Sequence, residues 1–279
     1  MDVMGTIVVG VDGSDGAAEA LRWAVGEASL HEWTVTALAN VGPPEDKDLD
    51  AAAQILHGHV VAALGEEAAA MVEERVRGGS PAFALVDSSH DAELLVVGAR
   101  GLGGFKRLLL GSVSQQCLHY STVPVAVTRA GHATQHDRGK VVVGVDGSAT
   151  AERALRWALR EAAVRETELE VVHGWQIQNI GMYPYPMGLD MTDYQAAAEA
   201  VVDEMLSRVE VDASTVKLIR TVRGGGAIPA LLDASEEADL VVVGSRGMGG
   251  FKGMLLGSVA QAVAQHASCP VIVVPAERD

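Results

Sequence analysis

The chain has 279 residues, of which 48% are apolar, 21% charged and 4% aromatic, and its formal net charge is −16. This length predicts two domains rather than one small core, and the composition predicts cores built from Val, Leu, Ile and Ala. The acidic balance argues against a general DNA- or RNA-binding surface, because phosphate backbones attract Lys and Arg. It leaves open a nucleotide held by backbone N–H groups in a small pocket.

The start of the chain, MDVMGTIVVGVDGS, has an acid at position 2 and an apolar run of five residues. That run is too short for a signal peptide or a membrane span, so we expect a cytoplasmic protein without a membrane partner. Cys117 and Cys269 lack the spacing of metal ligands. Both are expected to be reduced thiols, as is usual in the cytoplasm.

The sequence contains one unit twice. TIVVGVDGSDGAAEALRWAVGEA at 6–28 matches KVVVGVDGSATAERALRWALREA at 140–162, at a distance of 134 residues. Two glycine-rich stretches, which begin at Gly98 and Gly244, are 146 residues apart. A repeat of this length indicates a duplicated domain, because solenoid units are much shorter.

The difference between the two offsets means that the second copy holds about 12 additional residues, which we place in 176–194. Residues 130–139 are polar and show no apolar periodicity. We therefore predict a linker there, between an N-terminal domain of residues 1–129 and a C-terminal domain of residues 140–279.

Apolar runs and helical periodicity alternate along each copy. The run at 7–11 is continuous and β-branched, as in a strand buried on both faces. The next segment has helical period, with Ser14 or Asp15 available as its N-cap. In chain order, the first copy is predicted to contain strands at 7–11, 34–41, 71–77, 93–99 and 123–128, with helices at 17–30, 50–70, 81–90 and 112–120 between them. The second copy repeats this order and ends in strands at 239–245 and 270–275.

This alternation predicts an α/β fold with two tandem Rossmann-like domains, each a five-stranded parallel sheet with helices on both faces. In such folds ligands lie beyond the carboxyl ends of the strands, near the switch in strand order. The rule selects Asp12 after the first strand, Val41 after the second and Gly98 after the fourth.

Both copies carry the spacing Gly-x-x-Gly, nine residues, then Gly-Ser. Its members are Gly98, Gly101, Gly111 and Ser112 in the first copy, and Gly244, Gly247, Gly257 and Ser258 in the second. Glycine after a buried strand permits positive φ and lets a ligand approach the backbone. The Gly-Ser pair begins a helix, whose unpaired N–H groups and dipole form an anion site. Turn and N-cap roles are the alternative explanation, and duplication alone can copy them.

Asp12 and Asp146 follow the first strand of each copy in GVDGS. A carboxylate there accepts from a ribose hydroxyl or an adenine amine, or else forms an Asx-turn or cap. Basic residues in the motif either meet phosphate charge or are merely solvated: Arg100, Arg246, Lys106 and Lys252. The motif is not a P-loop, since GxxxxGK[ST] is absent, and its glycine offsets differ from those of the dinucleotide fingerprint.

These residues resemble the universal stress protein family. Its nucleotide-binding members carry Gly-2x-Gly-9x-Gly-(Ser/Thr), which both copies match, and VGVDGS at the first strand and STVPVAV or CPVIVV at the last are also similar. The likeness covers nearly all of 5–128 and 140–275. It implies a tandem-domain protein that binds ATP with Mg²⁺ and whose domains pair through their last strands. It also implies a homodimer and regulatory protein partners.

The resemblance further implies which residues contact the nucleotide. In the first copy, Gly10 and Asp12 approach the nucleoside, Val41 lies against adenine, and ribose and phosphates are held by Gly98, Arg100, Gly101, Gly103, Gly104, Gly111, Ser112 and Val113. The counterparts in the second copy are Gly144, Asp146, Gly244, Arg246, Gly247, Gly249, Gly250, Gly257, Ser258 and Val259. Trp175 stands at the position of Val41, where an indole either stacks on the base or alters the packing.

Phosphoryl transfer needs a positioned base or acceptor, and no histidine is duplicated beside the glycine motif. The expected function is therefore an ATP-binding universal stress protein that acts as a nucleotide-dependent regulatory or signalling module in a stress response, without catalytic residues or metal-ligating side chains. The alternative is a slow ATPase, or a nucleotide or phosphoryl transferase whose acceptor is not apparent.

Overall fold

The computed structural model describes residues 5–42, 49–102, 109–129, 131, 139–176, 191–209, 216–249 and 256–277. The first copy contains β1 (Thr6–Gly10), α1 (Asp15–His31), β2 (Thr34–Asn40), α2 (Leu49–Leu64), α3 (Glu66–Ala69), β3 (Val72–Arg77), α4 (Pro81–Ser88), β4 (Leu94–Gly98), α5 (Ser112–Tyr120) and β5 (Val125–Thr128). The second copy contains β6 (Lys140–Gly144), α6 (Ala149–Val164), β7 (Glu168–Trp175), α7 (Met191–Ser207), β8 (Leu218–Gly224), α8 (Ala227–Ser235), β9 (Leu240–Gly244), α9 (Ser258–His266) and β10 (Val271–Val274).

The strands form one ten-stranded sheet in the order β3-β2-β1-β4-β5-β10-β9-β6-β7-β8. Neighbouring strands within each copy are parallel. The copies meet where β5 and β10 pair antiparallel, with Val127 opposite Val271. The structure therefore confirms the predicted fold class and the pairing of the two copies through their last strands.

Apolar side chains cover both faces of the sheet. One buried layer joins the strands to α1, α2, α6 and α7, and the other joins them to α4, α5, α8 and α9. Each layer contains residues of both copies, so the apolar core continues across the boundary between them. Because both faces are covered, the inner strands β1, β4, β6 and β9 are near-continuous apolar runs. The edge strand β3 (VEERVR) instead alternates half-buried and exposed residues.

The helix predicted at 50–70 is wrong at one point. It divides into α2 and α3 at Gly65, whose φ is +81°. A side chain would strain this left-handed backbone, so the glycine ends the first helix. Of the two residues predicted as the N-cap of α1, the structure selects Ser14, whose hydroxyl oxygen accepts from Ala17 N at 3.2 Å. Ser148 caps α6 in the same way.

Several predictions fall on residues outside the described ranges. The predicted linker at 130–139 is described only at Gly131 and Gly139, and 177–190 lie outside the described part of the predicted insertion. The domain boundaries therefore stay predictions. Within the described part of the chain, no helix combines the length and apolar character needed to cross a bilayer.

A buried ionic network joins α1 of the first copy to α6 of the second. Arg165 donates to Glu27 and, from Nε at 2.5 Å, to Glu161 Oε1. His31 Nε2 lies 3.0 Å from Glu161 Oε2 and 3.5 Å from Glu27 Oε1. Glu27 and Glu161 are 0% and 1% exposed. Since Glu27 and Glu161 occupy equivalent positions of the repeat, as do His31 and Arg165, the network lies on the pseudo-twofold axis between the copies.

The network shifts the titration of its members. Burial lowers the pKa of His31, but its hydrogen bond to Glu161 and its ion pair with Glu27 outweigh this effect and raise that pKa to about 9. Burial raises the pKa of Glu161, but the hydrogen bond to His31 and the charge of Arg165 outweigh it and hold that pKa at about 2. Both shifts favour the charged forms, so His31 is an imidazolium at neutral pH.

We expect folding stability to fall at alkaline pH through His31. A pKa raised in the folded state contributes stability that is fully present below pH 6.5 and is lost as the pH rises through about 9. The full loss is about 3 kcal/mol, at 1.36 kcal/mol per pKa unit. Urea unfolding across this range should show the loss in the natural chain and in His90→Gln, a control at an exposed histidine. If His31→Gln lost folding stability equally steeply over this pH range, His31 would not be the group responsible.

Candidate functional site

The glycine motifs lie at the carboxyl ends of β4 and β9, beside the turns that follow β1 and β6. In the first copy, Asp12 Oδ2 accepts from Leu102 N at 3.0 Å, and Asp12 Oδ1 accepts from Ser14 N at 3.0 Å and Ser14 Oγ at 2.6 Å. In the second, Asp146 Oδ2 accepts from Met248 N at 2.8 Å and Oδ1 from Ser148 N at 3.0 Å. Each carboxylate thus forms an Asx-turn and also fixes the glycine motif to the first strand.

The second glycine of each motif lies directly against this carboxylate. A β-carbon on Gly101 would lie 2.2 Å from Asp12 Oδ2, and one on Gly247 would lie 2.3 Å from Asp146 Oδ2. No side chain fits at either distance without displacing the aspartate. The glycine is therefore required by the contact between the two turns.

The first glycine of each motif packs against the helix that follows the first strand. A β-carbon on Gly98 would lie 2.6 Å from Gly16 O, and one on Gly244 would lie 2.9 Å from Thr150 Cγ2. The first two motif glycines do not adopt the positive φ that glycine permits, whereas Gly13 and Gly147 in the GVDGS turns do, among other described positions. The physical role of Gly98 and Gly244 is close packing between the motif strand and the helix.

The Gly-Ser pairs begin helices as predicted. Gly111 is the N-cap of α5 and Gly257 that of α9, and neither helix has a side-chain cap. Gly111 N donates to Ala99 O and Gly257 N to Ser245 O, both at 2.7 Å, so each helix start is fixed to the end of the motif strand. Ser112 and Ser258 are exposed. First-turn N–H groups without a side-chain cap, next to an exposed hydroxyl, have the chemistry to bind an anion.

A cavity of about 510 Å³ opens at this end of the second copy. Most of the residues predicted for the second site line it: Gly144, Asp146, Gly244, Arg246, Gly247, Gly249, Gly257, Ser258 and Val259. Ligand pockets of this size accommodate small molecules such as nucleotides. Gly103, Gly104 and Gly250, together with Lys106 and Lys252, lie outside the described residues.

The described residues of the first predicted site lie at places equivalent to those of the second. Gly10 faces Leu85 of α4, as Gly144 faces Leu231 of α8. Val113 packs on the apolar layer beneath α5, as Val259 does beneath α9. Val41 lies just beyond β2, and its N–H donates to Arg77 O at 3.0 Å.

Trp175 is held away from the cavity. Its indole Nε1 donates to Gln195 Oε1 at 3.1 Å, and its ring is stacked on Tyr194 with centroids 5.9 Å apart. Both partners belong to α7. The cavity is lined by its neighbours Gly174 and Gln176 instead.

Sequence reasoning missed the side of the cavity formed by β7 and the turn from β8 into α8. This side includes Gly174, Gln176, Gly225, Gly226, Ile228 and Pro229. Gly225 and Gly226 have φ of +102° and +100°, a backbone that favours glycine. The run GGG at 224–226 was the available signal for this turn.

Two arginines of the first copy lie near the boundary between the copies. Arg129 NH1 donates to Ala267 O at 2.9 Å, and Arg129 also donates to Ala264 O, so it binds the last carbonyls of α9. Burial and the positive charge of Arg100 lower the pKa of Arg129.

Arg100 is exposed and Arg246 is half-buried in the cavity wall, so both are available to an anion.

Comparison with known proteins identifies one family, that of the universal stress proteins. The model of the universal stress protein family matches residues 4–129 and again 138–275. A universal stress protein of Mycolicibacterium smegmatis is 38% identical over 285 residues, covering 96% of each chain. One of Mycobacterium tuberculosis is 36% identical over 289 residues, covering 96% of this chain and 95% of the relative. The crystal structure of a universal stress protein from Archaeoglobus fulgidus has a TM-score of 0.70 at 24% identity, covering 97% of this chain and 96% of that one.

Proposed function

The chain belongs to the universal stress protein family, and on that premise we propose that it binds ATP at its two glycine-motif sites and acts as a nucleotide-dependent regulatory module in the cytoplasm. The observation that carries the proposal is the cavity of the second copy. One end of it has the start of α9 without a side-chain cap, and the other end is apolar. This combination suits a molecule with an anionic tail and a flat apolar ring.

Asp146 is the carboxylate in the described lining of the cavity. Mg²⁺ in nucleotide sites is commonly held by one or two carboxylates together with phosphate oxygens and water, so the residues present fit a Mg²⁺ that arrives with the nucleotide. In place of the expectation that no side chain ligates a metal, Asp146 would hold this ion, and the ion would neutralise phosphate charge. The chain's own contribution is the fixed position of Asp146, which Ser148 N and Met248 N both bind.

A regulatory role is supported by two exposed apolar side chains beside the sites. Leu102 and Met248 occupy equivalent positions in the two motifs, and each is 73% exposed. Their backbone N–H groups donate to Asp12 and Asp146. A nucleotide that shifts either aspartate therefore shifts an apolar side chain on the surface, which a partner protein or a second copy of the chain can recognise.

Native mass spectrometry of protein purified without added ligand tests the proposal by identifying and counting the bound nucleotide. Calorimetric titration of the stripped protein with Mg-ATP then gives affinity and stoichiometry, and we expect two molecules of ATP per chain. A turnover assay on the same sample separates a binding module from a slow ATPase. The proposed function is refuted if the purified protein carries no nucleotide and its titration with Mg-ATP gives no heat of binding.

A further inference from the structure

The cavity of the second copy has two chemically different ends. The end at the glycine motif carries the polar side chains of Asp146, Arg246 and Ser258. The side formed by β7 and the start of α8 is lined by Ile228 and Pro229, and Leu231 and Val172 lie next to Gly144 between the two sides. If phosphates lie at the start of α9, the base of the nucleotide lies at this apolar end.

Gln176 is the polar side chain at the apolar end, among the lining residues that the structure describes. Its Oε1 lies 3.0 Å from the position that a β-carbon on Gly226 would occupy, so the carboxamide extends over the glycine turn and toward the cavity. A side chain on Gly226 would collide with it. The preceding Trp175 is fixed to α7 by Gln195 and Tyr194, which sets the direction in which the chain enters position 176.

A carboxamide both donates and accepts hydrogen bonds. The edge of adenine offers the same pair, an amine donor next to a ring-nitrogen acceptor, and Gln forms two bonds with it. An apolar slot with one carboxamide at its rim is therefore suited to a 6-aminopurine. A purine that lacks the 6-amino group leaves the carboxamide oxygen without its donor.

At the position equivalent to Gln176, the first copy has a glycine and therefore no carboxamide. Gly42 stands at the position of Gln176 in the repeat, and its φ is +74°. It has no side chain that could contact a base. The two sites therefore differ at the position beside the base, although their glycine motifs match.

We propose that Gln176 hydrogen-bonds the 6-amino edge of the bound base and makes the C-terminal site more selective for adenine than the N-terminal site. The inference rests on the proposed nucleotide binding and adds to it a specificity-determining residue. It also assigns the two sites different selectivities.

The test compares ATP with purine riboside triphosphate, which lacks the 6-amino group, in calorimetric titrations of the full chain. Gly101→Glu leaves the C-terminal site for measurement, and Gly247→Glu leaves the N-terminal site. We expect ATP to bind the C-terminal site about tenfold more tightly than the analogue, in the range of amide–base contacts. The N-terminal site should bind both within about twofold, because it lacks such a contact.

Gln176→Met keeps the length of the side chain and removes its hydrogen bonding, so it should reduce the tenfold preference to near unity without removing ATP binding. Gln54→Met, at an exposed position of α2, is the matched control and should retain the preference. The same comparison of Gln176→Met with the natural chain, both with Gly101 and Gly247 unchanged, guards against a folding defect caused by Gly101→Glu or Gly247→Glu.

A preference that survives in Gln176→Met would overturn the inference, as would equal preferences at the two sites. Binding of neither nucleotide by the natural chain would overturn the proposed function itself. The two failures are therefore distinct.

Discussion

Replacing Gly247 by glutamate is expected to weaken ATP binding at the C-terminal site by about a thousandfold, or about 4 kcal/mol. A β-carbon at this position would lie 2.3 Å from Asp146 Oδ2, so any side chain displaces the carboxylate that binds Ser148 N and Met248 N. The glutamate also places a negative charge where the phosphates are proposed to lie. The measurement is calorimetric titration with Mg-ATP, together with circular dichroism to show that the fold persists.

Alanine variants separate the steric effect from the charge. Gly247→Ala should weaken binding by about tenfold, because it displaces Asp146 without adding charge. Gly58→Ala in α2 is the control outside both motifs, since a β-carbon there meets nothing within 4 Å, and its affinity for ATP should stay within about twofold of the natural chain.

The same change in the first motif should remove the N-terminal site, because a β-carbon on Gly101 would lie 2.2 Å from Asp12 Oδ2. The double variant Gly101→Glu, Gly247→Glu should then bind no ATP at concentrations that saturate the natural chain. If it still bound two molecules, the sites would not lie at the glycine motifs.

Replacing Arg165 by methionine is expected to reduce the free energy of unfolding by about 4 kcal/mol, the range found when one partner of a buried ion pair is removed. Arg165 is 8% exposed and binds Glu27 and Glu161, which are almost wholly buried. Without the guanidinium, His31 is the remaining described cation of the network that contacts these two carboxylates. Urea unfolding at neutral pH measures the loss.

Arg75→Met provides the control for this variant, because Arg75 and its partner Glu73 are both more than half exposed. Exposed pairs contribute about 0–1 kcal/mol, so the control should change stability little. The double variant Glu27→Gln, Arg165→Met removes one of the two carboxylates that lose Arg165, and it should recover part of the loss. Equal losses in Arg165→Met and Arg75→Met would show that the network does not stabilise the pairing of the copies.

Local sequence patterns predicted most of the secondary structure because strands and helices depend mainly on nearby residues. Continuous apolar runs marked the buried strands, and Ser14 and Ser148 marked the starts of α1 and α6. The helix at 50–70 was wrong only at Gly65, where the chain needs positive φ. A single glycine within a helical pattern does not reveal its own φ, so the break could not be seen in advance.

The glycine motifs were predicted at the correct strand ends, but the physical reason was different. Spacing could not show that Gly101 lies against Asp12, some 90 residues earlier in the chain, or that Gly98 lies against Gly16. Likewise, the sequence left open whether Trp175 stacks on a base or alters the packing, and its stacking on Tyr194 depends on where α7 packs. These contacts follow from the arrangement of whole elements.

The sequence by itself determined the duplication, the order of strands and helices, and the sheet edge at which the candidate sites lie. These features follow from repeated motifs and from apolar periodicity, which are local properties of the chain. Only the tertiary structure decided which residues meet across long separations: the pairing of Glu27 with Arg165, the carboxylates that fix the glycine motifs, and the position of Gln176 over Gly226. Such contacts depend on the packing of distant elements, and residue spacing along the chain does not encode them.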